Sequence, residues 1–341
     1  MGSKKSKAIE DETVYDTELY FPVADNILPI VYDDVYNITF AGMEKLHPFD
    51  SCKWRNIVNI LKEAGYLTMD TIIHPCEATE QDLLTVHTPG YLNSLTYSAK
   101  VALITEVPPV ALLPNFIVQS RLLSRFRYHV GGTVIATRTA FERGWGINIG
   151  GGFHHCSSNE GGGFCAYADI TIAIRYLRRY EPRVKRVMIV DLDAHQGNGH
   201  EHDFMGDEDV YILDVYNASI YPHDEKAKHA INRCVELRPR TRDKSYLNKV
   251  EANLAAALDE FSADFIMYNA GTDILEGDPL GCLNVTAAGV IRRDEMVFEV
   301  ARERGIPVAM VTSGGYQRHT AQVIADSILN MDHKGLLPHT R

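Results

Sequence analysis

The sequence predicts an α/β fold: a single domain with a mostly parallel central sheet flanked by helices. Three observations predict it. Short β-rich apolar runs recur along the chain, each emptying into glycine and polar side chains. Between them lie longer stretches that carry apolar residues on one stripe at helical spacing. Strand and helix therefore alternate, and that alternation builds a parallel sheet between layers of helix.

Taken in order, Gly146-Ile147-Asn148-Ile149 leads into Gly150-Gly151-Gly152-Phe153-His154-His155-Cys156. Tyr167 to Leu177 is the first striped segment. Val187-Met188-Ile189-Val190 is apolar at every position, which suits a strand buried on both faces. It ends in Asp191-Leu192-Asp193-Ala194-His195-Gln196-Gly197-Asn198-Gly199. Tyr246 to Phe261 is again helical in pattern, and Asp264-Phe265-Ile266-Met267-Tyr268 then leads into Asn269-Ala270-Gly271-Thr272-Asp273. A last helical stretch, Ala288 to Arg304, precedes Pro307-Val308-Ala309-Met310-Val311, which leads into Thr312-Ser313-Gly314-Gly315-Tyr316.

In open α/β sheets ligands bind beyond the carboxyl ends of the strands. Four such ends bring His154, His155, Asp193, His195, Asp273 and Tyr316 to one rim. A strand ending in Asp-x-Asp-x-His sets three metal-capable side chains on one face, because successive residues alternate sides. Carboxylate and imidazole suit a divalent ion, zinc in particular. Alone, an Asp-x-Asp at a strand end serves equally as a helix cap or an ion-pair partner. The other three strand ends tip the reading towards a metal.

With 341 residues and no Ser/Pro-rich linker, repeat or long charge run, the chain reads as one domain with a substantial core. The net charge of −11 opposes tight, sequence-independent binding to nucleic acid. Six cysteines lack Cys-x-x-Cys pairing, and there is no signal peptide or long apolar segment, so an intracellular, reducing setting is expected. Met1-Gly2-Ser3 followed by Lys4 and Lys5 fits an N-myristoylation pattern, and membrane contact is expected only if Gly2 is modified.

Five segments carry a family resemblance: Gly-Gly-Phe-His-His-Cys at 151–156, Gly-Gly-Phe-Cys at 162–165, the Asp-Leu-Asp-Ala-His-Gln-Gly-Asn-Gly run at 191–199, Asn-Ala-Gly-Thr-Asp at 269–273 and Ser-Gly-Gly-Tyr at 313–316. Together they resemble the zinc-dependent histone deacetylases, most nearly the class IV branch. His47-Pro48 and His87-Thr88-Pro89-Gly90-Tyr91-Leu92 resemble further family elements. The resemblance implies an arginase/deacetylase-like fold, a catalytic domain over residues 15–335 after a flexible segment 1–14, and hydrolysis of acyl-lysine in proteins such as histones. It also implies a nuclear or cytoplasmic chromatin regulator.

Asp193, His195 and Asp273 are expected to hold zinc, leaving a position open for catalysis. By resemblance His155 is the general base and His154 its electrostatic partner, held by Asp191. Asn198 pairs with His155 where class I relatives have aspartate. Tyr316 is the oxyanion donor. Gly163, Phe164, Tyr221 and Gly315 are expected at the substrate lysine. Relatives also bind a structural potassium ion near Asp191, Asp193 and His195, where Asp214 stands at a position often held by serine. The class IV likeness implies a preference for long fatty-acyl chains over acetyl.

Three alternatives compete. An acetylpolyamine deacylase needs the same chemistry plus an anionic gate. A dimanganese arginase-like ureohydrolase needs Asp-x-His-x-Asp, whose last aspartate falls on Gly197. A non-catalytic acyl-lysine-binding scaffold would have lost a ligand or Tyr316, and neither is lost.

Overall fold

The computed structural model describes residues 17–38 and 52–338. The expected flexible segment 1–14, Gly2 and His47-Pro48 lie outside the described residues. Seven strands form one sheet: β1 (Ile30–Val31), β2 (Trp145–Asn148), β3 (Val187–Asp191), β4 (Val210–Asn217), β5 (Arg233–Leu237), β6 (Phe265–Asn269) and β7 (Val308–Val311). Their order is β1-β2-β7-β6-β3-β4-β5, and every pairing is parallel.

The four strands that end in polar clusters are thus neighbours: β2, β7, β6 and β3. Their register is level. Asn148 pairs with Val311, Val311 with Asn269, and Asn269 with Asp191. The loops that follow leave the sheet from one row, so side chains distant in sequence converge without long connections. All residues of these four strands are buried, as their unbroken apolar runs require.

Helices cover the sheet in two groups. Helix Ser124–Arg143 packs against β2 and against helix Asp169–Tyr180. It fits closely there. A Cβ on Gly132 would fall 1.7 Å from the Tyr36 hydroxyl. The helix stops at Gly144, whose φ of 88° is a left-handed cap. The second group comprises Asp243–Glu260, Ala287–Glu303 and Thr320–His333, with Lys53–Glu63 against the last of these. Thr286 caps the helix at Ala287 by accepting from Gly289 N.

The expected elements lie where the sequence places them, within a residue or two to three at their ends. Strands β1, β4 and β5 were not anticipated; β5 alternates exposed and buried side chains as an edge strand does. Pro108–Leu112 forms a short 3-10 helix.

Candidate metal and catalytic site

Aspartates at the ends of two strands, β3 and β6, do different work. Asp191 ends β3 and is fully buried. Its Oδ2 lies 2.9 Å from His154 Nδ1 and 2.8 Å from His200 Nε2, and its Oδ1 accepts from Asn269 Nδ2 at 2.9 Å. Asp193 N also donates to Oδ1 at 3.1 Å, so four groups surround this carboxylate and it orients histidines.

Asp193, His195 and Asp273 form a separate group whose potential ligand atoms all lie within 4.8 Å of one another. His195 Nδ1 is 3.1 Å from Asp193 Oδ1 and 2.9 Å from Asp273 Oδ2. All three are buried. Two carboxylates and one imidazole aimed at one point suit a divalent cation. Burial works against charge on His195, but the two carboxylates outweigh it and raise the imidazole to about 10. A proton and a metal compete for that same lone pair.

The backbone around the group is held firmly. Ala194 N donates to Asp273 Oδ1 at 2.8 Å, and Gly314 N donates to Asp193 Oδ2 at 3.1 Å. Arg293, fully buried, donates to the carbonyls of Leu192, Ala270 and Gly271 behind the site.

The tandem histidines sit on the loop after β2. Gly151 and Gly152 turn that loop with φ of 69° and 81°. Asp169 gathers it, accepting from Gly152 N and Phe153 N at 2.8 Å each. The two imidazole rings lie 4.1 Å apart and meet different partners. His154 faces the Asp191 carboxylate, and its Nε2 is 3.6 Å from Asp193 Oδ1. His155 Nδ1 lies 2.9 Å from the neutral Asn198 Oδ1. The surroundings separate their basicity. Burial lowers both, but Asp191 and Asp193 bring His154 up to about 9. His155 stays well below the ordinary imidazole value, lowered by burial, by His154 and by His195.

Tyr316 follows β7. Its ring is 6.4 Å from that of His195, and its N–H donates to Asp278 Oδ2 at 2.9 Å. Burial, then Asp273 and Asp193, push its hydroxyl well above the ordinary range, so it remains a proton donor. Gly315 has φ 128°, and Ser313 is itself left-handed at 43°.

His154, His155, Asp193, Gly163, Phe164 and Tyr316 line one cavity together with Trp54 and Phe153. Tyr221 does not line this cavity. It sits over the edge of His155, 4.8 Å between ring centroids, in an adjoining outer pocket bordered by Glu160, Asn198, His202, Asp224 and Glu225. Gly163 fits between the two, since a Cβ there would lie 2.5 Å from His155 Cδ2 and 3.1 Å from Tyr221 Cε1. Asp214, also buried, accepts from Gly197 N through Oδ2 at 2.9 Å, while its Oδ1 has no hydrogen-bond partner.

Sequence reasoning did not single out Asp169, His200, Asp278, Arg293 or Lys53. Lys53 is fully buried and donates to the carbonyls of Ser313 and Gly314. Isolated charged residues far along the chain carry no local signal of such roles. A buried ion pair or carbonyl clamp depends on the fold that assembles it.

The histone deacetylase domain family matches residues 47–331. Histone deacetylase 2 of Arabidopsis thaliana is 51% identical over 333 residues, covering 97% of this chain and 85% of that protein. The acetoin utilization protein AcuC of Staphylococcus aureus is 27% identical over 70% of this chain and 64% of its own length. In three dimensions the HDA15 HD domain superposes with a TM-score of 0.73 at 22% identity, covering 92% of this chain and 89% of that one. An HDAC homolog complexed with SAHA gives 0.69 at 21% identity, covering 91% and 84%. The level row of strand ends, the convergent ligand group and the family match over most of the chain agree: this protein belongs to the histone deacetylase family.

Proposed function

We propose that this chain is a zinc-dependent hydrolase that removes acyl groups from lysine side chains of proteins, histones among them. One observation carries the reading: Asp193, whose carboxylate meets His195 and Asp273 in one group, lines the same cavity as His154, His155 and Tyr316. Two carboxylates and an imidazole at one point fit zinc, which when bound supplies a Lewis acid that polarises a carbonyl and acidifies water. His155, neutral and paired to an amide, takes the proton from the attacking water and returns it to the leaving lysine amine. His154, held beside Asp191, supplies positive charge, and the Tyr316 hydroxyl donates to the oxyanion. Phe164 forms an apolar wall for the lysine stem. Tyr221 and Gly163 shape the entrance, and Gly315 sets the approach of Tyr316.

The finer reading is a class IV enzyme with a preference for long acyl chains, supported by the motif wording and by the apolar wall of Trp54, Phe153 and Phe164. The catalytic domain is read as 15–335, and the setting as nucleus or cytoplasm. Among the described residues no helix is long and apolar enough to cross a membrane. A structural potassium ion near Asp191, Asp193 and His195 belongs to the same reading.

A second reading, deacylation of small acetylated amines, has one observation in its favour: Glu160, Asp224 and Glu225 border the outer pocket and would attract a cation. A ureohydrolase with a second metal is disfavoured by space. A side chain at Gly197 would begin 2.1 Å from His200 Nε2 and 2.5 Å from Asp191 Oδ2. Turnover of acetyl-lysine and acyl-lysine peptides against acetylated polyamines, with zinc content measured on the same sample, tests the assignment. Turnover confined to polyamines would overturn it.

A further inference from the structure

We infer that Asp224 is a positioning residue that fixes the orientation of the Asn198 amide and, through it, the tautomer of His155. The inference rests on the reading of His155 as the proton acceptor.

An asparagine beside an imidazole has two choices. With Oδ1 towards His155, the imidazole must carry hydrogen on Nδ1, and Nε2 keeps its lone pair for the reaction. With the amide turned over, Nδ2 donates, Nδ1 must accept, and the hydrogen moves to Nε2. The base is then disabled. Aspartate offers no such choice, because both its oxygens accept. An enzyme that uses asparagine here therefore needs something else to orient it.

Asp224 meets that need. Asn198 Oδ1 lies 2.9 Å from His155 Nδ1, and Asn198 Nδ2 lies 3.5 Å from Asp224 Oδ2. A carboxylate only accepts, so it can face Nδ2 but not Oδ1. The contact is long, yet orientation needs only a difference in energy between the two ends of the amide.

Asp224 is itself firmly held. Its Oδ1 accepts from Ala227 N at 2.9 Å, and its Oδ2 lies 2.7 Å from His202 Nε2. Asn198 and His202 are four residues apart on the helix Asn198–Asp203, so they approach the carboxylate from one face. Gln196 clamps the Asp224 backbone from both sides: its Oε1 accepts from Asp224 N at 3.2 Å, and its Nε2 donates to Asp224 O at 3.0 Å. Gln196 directly follows the ligand His195. The Gln196 clamp thus ties the outer loop to the strand end that carries the metal group.

The test is a double-mutant cycle with a spectroscopic readout. Asp224→Ala should lower kcat by about 10- to 100-fold, the usual range for groups that orient ligands and bases, with a smaller effect on KM. Asp224→Asn keeps an acceptor oxygen and should recover part of the loss. In an Asn198→Asp background, Asp224→Ala should leave kcat unchanged or raise it. The aspartate there has no orientation to lose, and it sheds a like-charged neighbour. With 15N-labelled histidine, NMR should show His155 protonated at Nδ1 in the wild type and as a tautomer mixture in Asp224→Ala. An equal loss in both backgrounds, or an unchanged His155 tautomer, would overturn the inference. A wild type that hydrolyses no acyl-lysine would instead sink the deacylase reading, and the NMR comparison would still decide the role of Asp224.

Discussion

The backbone N–H of Gly314 donates to Asp193 Oδ2 across 3.1 Å, which ties the loop carrying Tyr316 directly to the Asp193, His195 and Asp273 group. The reason for glycine here is space. A Cβ at this position would stand 2.5 Å from Asp273 Oδ2 and 2.6 Å from Asp193 Oδ2. The unusual backbone angles fall on its neighbours, Ser313 and Gly315. Gly314 thus lets two carboxylates and a third loop close on one point.

Gly314→Ala should therefore keep its fold but lose metal affinity. The nearest atoms the intruding methyl meets belong not to backbone or apolar side chains but to the two carboxylates. Moving them degrades the ligand geometry, and a loss of about 10- to 100-fold in zinc affinity is expected. A chelator competition titration, with circular dichroism as the fold control, measures this. Wild-type affinity would show that the carboxylates adapt without cost. Asp193→Ala, His195→Ala and Asp273→Ala should each remove nearly all bound zinc in the same titration.

Tyr316→Phe should retain zinc and stability while kcat falls on the order of 100- to 1,000-fold, the cost of losing one oxyanion donor. The backbone anchor survives the change, since Asp278 accepts from the Tyr316 N–H and not from the hydroxyl. An unchanged kcat would place the hydroxyl outside the reaction.

Much of the site was readable because local sequence and fold agree there. Asp193, His195 and the tandem His154 and His155 follow apolar runs so plain that their strands could be drawn in advance, and parallel topology then brings the loops together. Asp224 and Asp278 were not readable in this way. Neither follows a strand directly, and their roles arise from contacts with Asn198 and Tyr316 that only the folded chain creates. Strand β1 contributes just Ile30 and Val31, too short for any periodicity to register. Tyr221, expected at the substrate lysine, illustrates the limit for loops: its seat over the outer edge of His155 has no signal in the local sequence.

Two buried histidines outside the metal group should make the protein acid-sensitive. His87 Nε2 accepts from Ala168 N at 3.1 Å, and His129 Nδ1 accepts from Gly151 N at 3.1 Å. Each must be neutral to accept. Burial lowers His87 to about 4 and His129 to about 3. The folded value lies below the unfolded one of about 6.5, so the stability is fully present above pH 6.5. It is lost as pH falls towards these folded values. At pH 5 the loss is about 2 kcal/mol for each histidine, from 1.36 kcal/mol per pH unit. Urea unfolding at pH 7 and pH 5 measures the loss, and His87→Gln should reduce it by about 2 kcal/mol. An unaltered loss in that variant would assign the acid sensitivity elsewhere, zinc release included.

The length of the acyl chain turns on how the cavity responds to it. Its volume is about 40 Å³, room for only a few waters, so a long chain fits only if Trp54, Phe153 and Phe164 give way. Such repacking costs about 1–3 kcal/mol. Against this, each buried methylene contributes about 0.8 kcal/mol, and a myristoyl group carries about a dozen more than acetyl. The gross gain exceeds the repacking cost several-fold, and chain ordering offsets only part of the surplus. Matched peptides should therefore show a higher kcat/KM for myristoyl-lysine than for acetyl-lysine. The gain should appear mainly in KM, since the distal methylenes touch nothing that changes in the transition state. Equal values, or a preference for acetyl, would mean that these aromatic walls do not part. The long-chain reading would then fall while the metal group and Tyr316 kept their roles.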